Sequence, residues 1–213
     1  MRMVRSLLTL LALLIAGPAV AQEAAPAAPP PRTQNVLLHT SAGDITIALE
    51  VERAPITAGN FLRYVDAHRL DGTEFYRAMH TAPDAGLIQG GVRDPRKLYP
   101  PIAHEPTSQT GLSHTDGAIS APRLAVGTAQ GDFTIMVGDQ HYLDAGPGSA
   151  GDGLGYAVFG HVVAGMDVVH RILAAPTSPT EGEGVMRGQM LSPRVTILMA
   201  RRGGRVPATY PLR

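Results

Sequence analysis

Residues 74–91 read EFYRAMHTAPDAGLIQGG, and this stretch predicts a β-hairpin around which the rest of the chain is organised. Two runs typical of strands, 75–79 and 87–90, flank a loop short enough to pair them. Each run carries one prominent polar residue. Arg77 offers five donors on a permanently charged planar group, and Gln89 offers two donors and an acceptor. Held on rigid strands, the two could grip a peptide carbonyl and its amide, although an idle, solvated pair at a sheet edge is the commoner arrangement.

The composition excludes several classes of protein. A length of 213 residues fits one domain of ordinary size with additional segments. The 18 basic and 18 acidic residues cancel and form no basic block, which argues against a nucleic acid partner. Cysteine is absent, so disulfides, thiol nucleophiles and thiolate metal sites are excluded. No G-x-S-x-G elbow occurs, and His104-Glu105 lacks the second histidine of a zinc-protease helix.

The N-terminus has the pattern of a cleaved signal peptide. Arg2 and Arg5 precede an apolar run over 7–15, and Ala19-Val20-Ala21 is a small-x-small cleavage site. We predict cleavage after Ala21, export to the periplasm and no stable membrane insertion afterwards. An uncleaved membrane anchor is the alternative.

The remaining boundaries follow from composition and periodicity. We predict a signal peptide over 1–21, a disordered Ala/Pro-rich linker over 22–34, a folded domain over 35–202 and a C-terminal tail over 203–213.

Hydrophobic periodicity within the folded domain predicts short strands and two helices. Residues 44–51 alternate with a period of two, with Glu50 on the solvent side. Residues 55–70 carry an apolar stripe at helical spacing, and residues 165–175 form the second predicted helix. Residues 92–115 lack periodicity and contain four prolines, so we predict a long loop. The predicted strands are 35–40, 44–51, 75–79, 87–90, 117–122, 132–137, 156–163 and 194–201. This pattern favours a β-barrel or a sandwich covered by helices.

Five segments resemble the cyclophilin family, in the family's order. Residues 75–77 (FYR) and 87–91 (LIQGG) resemble its F-[HY]-R and IQGG elements. Residues 117–120 (GAIS) resemble its G-T-I-[AS] strand, and 142–144 (YLD) its [WF]-L-D turn. Residues 156–169 (YAVFGHVVAGMDVV) resemble the stretch that enters the second helix. The resemblance spans about residues 35–201 and implies a mainly β fold: a closed eight-stranded antiparallel β-barrel capped by two α-helices.

The resemblance implies a peptidyl-prolyl cis/trans isomerase that acts on proline-containing polypeptides as a monomer, without cofactor or metal. Amide resonance sets a barrier of roughly 18–20 kcal/mol, which a donor aimed at the twisted imide nitrogen can lower. By resemblance Arg77 is that donor, and Gln89 holds the substrate backbone. The substrate-binding residues implied in the same way are Tyr76, Leu87, Asp132, Thr134, Tyr142, Leu143 and Tyr156, with Met79 as a further candidate.

Several positions depart from the family pattern. The loop between Arg77 and Gln89 is four residues longer than usual, and Gly86 stands where an aromatic residue is normal. Asp132 replaces a glutamine and could draw Arg77 away from substrate or orient it. Thr134 replaces a pocket phenylalanine. These departures keep an alternative open: a catalytically weak cyclophilin-fold protein or chaperone that binds proline-containing peptides. Because Tyr142 stands where the family's cyclosporin contact is usually tryptophan, we also predict weak inhibition by cyclosporin.

The glycine-rich loop after Asp144 carries two weaker signals. Gly146-x-Gly148-x-x-Gly151 matches the dinucleotide fingerprint letter by letter, but no parallel strand precedes it and a predicted strand, not a helix, follows. Asp144 and Asp152 flank the loop and could hold a calcium ion, although two carboxylates in such a loop are more often solvated.

Overall fold

The computed structural model describes residues 31–203, which form nine strands and three helices. The strands are β1 (Gln34–Thr40), β2 (Gly43–Leu49), β3 (Thr73–Ala82), β4 (Ala85–Gly91), β5 (Ala118–Ala121), β6 (Asp132–Val137), β7 (Ala157–Ala164), β8 (Thr177–Ser178) and β9 (Met190–Arg202). The helices are α1 (Pro55–Asp66), α2 (Thr107–Thr110) and α3 (Met166–Leu173). The predicted signal peptide, most of the predicted linker and nearly all of the predicted tail lie outside the described residues. Within 31–203, every helix is too short or too polar to cross a membrane.

Eight of the strands close into an antiparallel barrel in the order β1-β2-β7-β5-β6-β4-β3-β9. Pairing between β1 and β9, with Leu38 opposite Ala200, closes the ring. Strand β8 lies outside the barrel and pairs with the start of β9. The predicted closed eight-stranded barrel is therefore confirmed, and closure leaves its strands without free edges.

The main hydrophobic core, shared by the barrel and its covering helices, contains all four phenylalanines of the chain. Phe61 on α1 meets Phe133 edge-on, with ring centroids 5.3 Å apart, and Phe133 meets Phe75 edge-on at 5.5 Å. Phe159 packs against Phe61 at 5.5 Å. Aliphatic residues from β1, β2, β4 and β9 fill the remaining interior. Because the core uses every phenylalanine, tyrosine is the aromatic residue left for any surface site.

Helix α1 confirms the predicted apolar stripe but ends earlier than predicted. Ala58, Phe61 and Val65 are buried as expected. The helix stops at Asp66, four residues before the predicted Leu70, because His68 adopts a left-handed backbone conformation with φ of 55° that cannot continue an α-helix. Leu70 is nevertheless fully buried after the helix has ended.

Other element boundaries also differ from the predictions. Strand β1 starts at Gln34, inside the predicted linker, and β9 starts at Met190, four residues before the predicted start. Strand β2 buries Ile45 and Ile47 as predicted. Glu50, predicted to face solvent, is only 2% exposed, because its carboxylate folds back onto the Arg53 guanidinium at 2.6 Å.

The segment 92–115 is largely irregular, as predicted, and is anchored by its own contacts. It contains a 3₁₀ turn over Pro95–Lys97 and the single-turn helix α2. Its buried Glu105 accepts hydrogen bonds from the backbone N–H groups of Ile56 (3.1 Å) and Thr57 (2.6 Å). Those N–H groups belong to the first turn of α1, where a carboxylate is favourable. Glu105 therefore ties this segment to α1.

Candidate active site

Residues from three neighbouring strands form two parallel rows on the outer face of the barrel. Arg77 on β3 pairs with Gln89 on β4, which pairs with Thr134 on β6. We call these three the polar row. The intervening residue Ile88 points into the core, as the period of two in a strand requires.

The second row lies two residues further along the same strands. Met79 pairs with Leu87, which pairs with Met136, and we call these three the apolar row. Directly opposite side chains on one sheet face are in contact distance of each other. The two rows therefore form a continuous floor that is polar on one side and apolar on the other.

Every site residue predicted from the sequence lies along one groove above this floor. Its volume is about 980 Å³. The predicted residues that line it are Tyr76, Arg77, Met79, Leu87, Gln89, Asp132, Thr134, Tyr142, Leu143 and Tyr156. Residues scattered over 80 positions of sequence are thus brought to one site by the barrel.

A β-bulge explains how two consecutive residues of β3 both reach the groove. Phe75 pairs with Gly90 and Arg77 with Gln89, which leaves Tyr76 as an extra residue. The same irregularity interrupts the pairing of β3 with β9. A bulge redirects side chains locally. Tyr76 and Arg77 therefore line the same groove although they are adjacent in sequence.

Three neutral acceptors hold the Arg77 guanidinium. Nε donates to Gln189 Oε1 at 2.8 Å and Nη1 donates to Gln89 Oε1 at 2.9 Å. Nη2 donates to the Met79 sulfur at 3.3 Å. No acidic side chain within residues 31–203 forms an ion pair with this arginine. Burial lowers the pKa of Arg77 from its usual value. The group stays protonated, because its ordinary pKa is so high, and its charge is left uncompensated.

Asp132 orients Gln89 and does not draw Arg77 away. Its Oδ2 accepts from the Tyr76 hydroxyl at 2.6 Å and from Gln89 Nε2 at 3.3 Å. A carboxylate only accepts hydrogen bonds, so the Gln89 nitrogen must face Asp132 and the Gln89 oxygen must face Arg77. Asp132 therefore helps to orient Arg77, through the amide of Gln89.

Burial also shifts the pKa values of Asp132 and Tyr76. It raises the pKa of Asp132, although hydrogen bonds from Tyr76 and Gln89 oppose the shift. The pKa of Tyr76 is raised strongly by its burial and by the neighbouring Asp132 charge. Asp132 Oδ1 is buried without a hydrogen-bond partner. Asp132 therefore has one buried carboxylate oxygen that is free to accept a hydrogen bond, at the end of the polar row.

The hairpin geometry explains why Gly86 cannot be aromatic here. A Cβ atom on Gly86 would lie 2.0 Å from the carbonyl oxygen of Met79, which is far inside van der Waals contact. The longer hairpin, with β3 extending to Ala82, thus removes the space for an aromatic side chain. The apolar row, with Leu143 and Tyr156 beside it, forms the pocket wall in its place.

A buried hydrogen-bond chain fixes the turn that carries Tyr142 and Leu143. Asp144 Oδ1 lies 2.6 Å from His114 Nδ1, and His114 Nε2 lies 2.9 Å from Ser120 Oγ. Burial lowers the pKa of His114 despite the opposing Asp144 carboxylate. A neutral ring that donates from Nδ1 to Asp144 accepts the Ser120 proton at Nε2.

The hydrogen-bonded series Asp144–His114–Ser120 has the order of a hydrolase triad, but Ser120 is only 1% exposed. We interpret the chain as a brace between β5 and the 142–144 turn, because both of its ends lie in elements that line the groove.

The glycine-rich loop does not form the calcium site considered above. Asp144 is engaged by His114, whereas Asp152 forms an ion pair with Arg123 at 2.7 Å. The two carboxylates therefore serve different partners. Within residues 31–203, no group of three or more His, Asp or Glu side chains is arranged to hold a metal ion.

The residues missed from the sequence include Met136 in the floor of the groove and Gln189 behind Arg77. Met136 could have been found, because it follows Asp132 and Thr134 at spacings of two on the predicted strand. Gln189 could not, since it precedes β9 by one residue and lies in a segment without periodicity. Its contact with Arg77 spans 112 positions of sequence.

Comparisons with known proteins agree with this geometry. Residues 35–200 match the family model of cyclophilin-type peptidyl-prolyl cis-trans isomerases. Peptidyl-prolyl cis-trans isomerase A of Dickeya dadantii is 36% identical over 148 residues, covering 67% of this chain and 73% of that protein. Peptidyl-prolyl cis-trans isomerase B of Escherichia coli is 35% identical over 147 residues, covering 67% of this chain and 85% of that protein.

The fold comparison gives the same result. The crystal structure of a cyclophilin-type peptidyl-prolyl cis-trans isomerase from Cryptosporidium parvum superimposes with a TM-score of 0.64 at 17% identity, covering 82% of this chain and all of that one. By its sequence match over most of its length and by its closed barrel, the chain belongs to the cyclophilin-type peptidyl-prolyl cis-trans isomerases.

Proposed function

We propose that this chain is an exported, periplasmic prolyl isomerase that accelerates X-Pro isomerisation during the folding of exported proteins. The proposal rests on the Arg77 side chain. Hydrogen bonds fix its position, no acidic side chain of residues 31–203 pairs with its charge, and it lies beside the apolar row. Guanidinium has five N–H groups, and three are used inside the protein. Two N–H groups, one on each Nη, remain for a substrate in the groove.

The remaining donors of Arg77 suit the chemistry of imide rotation. As the C–N bond twists, resonance is lost and the nitrogen becomes pyramidal and basic. A donor fixed in advance near this nitrogen stabilises the transition state more than the planar ground state, which is the requirement for catalysis. We assign that role to Arg77.

Gln89 has capacity left to hold the substrate backbone. Its oxygen faces Arg77 and one of its amide hydrogens faces Asp132. The second amide hydrogen is free to donate to a peptide carbonyl. We assign the proline ring to the apolar row, with Leu143 and Tyr156 as walls, because the ring has no donor and gains from burial. Tyr142 is 41% exposed at the rim, where it can cover the chain flanking the proline.

A protease-coupled isomerisation assay on a short Ala-Pro peptide tests this proposal. Wild-type protein should accelerate the reaction, and Arg77→Ala should reduce kcat/KM by about 10²–10³-fold, the effect of removing one transition-state donor. Arg171→Ala is the matched control, because that arginine is exposed on α3, pairs with Asp167 and does not line the groove. Equal activity of wild type and Arg77→Ala would refute the assigned role.

A second candidate function is the binding of proline-containing segments without useful turnover. It is favoured by the absence of phenylalanine from the groove, which leaves Thr134 and a glycine where the family pattern has aromatic residues. Titration of the same peptide against folded wild-type protein separates the two. Saturable binding without acceleration would favour the binding protein, whereas acceleration lost in Arg77→Ala favours the enzyme.

The cellular setting is part of the proposal and rests on residues 1–21. N-terminal sequencing of protein recovered from a bacterial periplasmic extract should give a chain that starts at Gln22. Retention of Met1 in a membrane fraction would favour the uncleaved anchor. We further propose that the mature chain is a monomer, which size-exclusion chromatography with light scattering would measure directly.

A further inference from the structure

We propose that Gln189 is a positioning residue for Arg77, an inference that rests on the isomerase function proposed above. Gln189 does not line the groove, so it acts on substrate only through Arg77. Its Oε1 accepts from Arg77 Nε at 2.8 Å, and its backbone oxygen accepts from the next residue's N–H, on Ala78, at 2.9 Å. One residue thus holds both the side chain of Arg77 and the strand that carries it.

The orientation of the Gln189 amide is fixed from its other end. Nε2 donates to the backbone oxygen of Val185 at 2.9 Å, and the Gln189 N–H donates to the Met186 oxygen at 3.1 Å. A carbonyl accepts only, so a flipped amide would place its oxygen against the Val185 oxygen. The unflipped form, with its oxygen toward Arg77, is the one that satisfies both partners.

The segment that supplies these contacts is closed on itself. Gly188 donates to the Glu181 oxygen at 3.0 Å, and Met186 donates to the Glu183 oxygen at 3.0 Å. Arg194, the fifth residue of β9, pairs with Glu181 at 3.6 Å. The turn over 181–189 is therefore a built support that holds Gln189 behind Arg77.

Gln189 and Gln89 together grip the guanidinium from two sides with amide oxygens. Amides fix its rotation about the side-chain axis without neutralising its charge, whereas a carboxylate would do both. The free N–H groups on the two Nη atoms consequently keep one direction, and the field at the substrate nitrogen stays strong. Preorganised donors of this kind act without reorganising during the reaction.

Two variants separate position from charge. Gln189→Leu removes the acceptor at similar size and should lower kcat about tenfold with KM unchanged within about twofold, the effect of one hydrogen bond to a charged group. Gln189→Glu keeps an acceptor for Nε but compensates the charge and loses the Nε2 donor to Val185, and should also lower kcat several-fold. Gln109→Leu, exposed on α2, is the control and should behave as wild type.

The ¹H–¹⁵N resonance of Arg77 Nε provides a readout that a purely structural role would not move. Its proton should exchange slowly with water in wild type and in Gln189→Glu, and rapidly in Gln189→Leu. Wild-type kcat in both variants, or a protected Nε proton in folded Gln189→Leu, would overturn the proposal. If Gln189→Leu does not fold, the kcat of Gln189→Glu decides alone. An inactive wild type with the predicted exchange pattern would count against the isomerase function and leave the Gln189–Arg77 contact established.

Discussion

The polar row and the apolar row lie side by side on the same three strands, yet they are held in different ways. Directional hydrogen bonds fix Arg77 and Gln89, and each bond has a named partner. Packing alone fixes Leu87 and Met136, in a small cluster separate from the main core. Rotation of a bond needs a donor at one angle, whereas burial of a ring needs only apolar area. The difference shows why Arg77 and Gln89 keep the family pattern while the pocket positions Gly86 and Thr134 depart from it.

The same difference predicts which kinetic constant each row controls. Interactions made only in the transition state affect kcat, and interactions made equally in the bound ground state affect KM. The polar row should therefore act mainly on kcat and the apolar row mainly on KM. Mutations placed in one row at a time can test this division.

Among changes that leave Arg77 in place, the loss of Gln89 at the centre of the polar row should have the largest effect. Gln89→Leu leaves Arg77 Nη1 and Asp132 Oδ2 each without one partner. Because hydrogen bonds to charged groups contribute about 1.5–3 kcal/mol, kcat/KM should fall roughly 10- to 100-fold. The protease-coupled assay measures this, with Gln34→Leu on β1 as the control. A fall confined to KM would contradict the division between the rows.

Shortening the apolar row should have a smaller and different effect. Leu87→Ala removes about two methylene equivalents of contact with the proline ring, so KM should rise about tenfold while kcat stays within about twofold. Substrate-saturation curves for a proline peptide give both constants.

The control for Leu87→Ala must lose a similar amount of unfolding free energy. Both Leu87 and Leu173 are buried, and truncation of either should cost about 2–5 kcal/mol of unfolding free energy. Leu173 lies on α3 and does not line the groove, so Leu173→Ala should destabilise the protein without changing KM. An equal rise of KM in both variants would show that the effect comes from stability.

Adding apolar surface to the groove at Thr134 should lower KM modestly. Thr134 pairs with Gln89 and also donates to the Ser120 oxygen at 3.2 Å. Thr134→Phe places a ring in the groove and should lower KM for a proline peptide about fourfold, since burial of about one further methylene equivalent adds about 0.8 kcal/mol. Thr134→Val, which replaces the hydroxyl by a methyl group of similar size, is the comparison. A rise of KM in Thr134→Phe would mean that the groove has no room for the ring.

The sequence predicted the groove better than it predicted the contacts within it. Strand periodicity and the family motifs located Arg77, Gln89 and the barrel, because both depend on short stretches of sequence. The β-bulge at Tyr76 and the contact between Gln189 and Arg77 depend on how distant segments meet. The steric reason for Gly86 likewise appears only once the hairpin register is known. Local sequence patterns therefore predicted residues of the two rows, whereas the contacts that support these residues appear only in the tertiary structure.

The smallest expected effect concerns the acidic end of the polar row. Burial raises the pKa of Asp132, so the folded protein holds its proton to a higher pH than the unfolded chain does. The stability from this group is therefore complete below the unfolded pKa of about 4 and is lost as the pH rises through the folded pKa. Asp132→Asn cannot ionise, so its stability relative to wild type should improve between about pH 4 and 7. Urea unfolding at both pH values measures the difference.

Asp167→Asn provides a control of opposite sign. The hydrogen bond from Arg171 lowers the pKa of Asp167, so this carboxylate adds stability above its unfolded pKa. Asp167→Asn should therefore lose stability relative to wild type over the same pH range, by a small amount because the pair is exposed. If both variants shift in the same direction, general surface charge explains the result. Opposite shifts would show that burial of the Asp132 carboxylate, which accepts from Gln89, lowers stability through desolvation. The same carboxylate fixes the orientation of the Gln89 amide that holds Arg77.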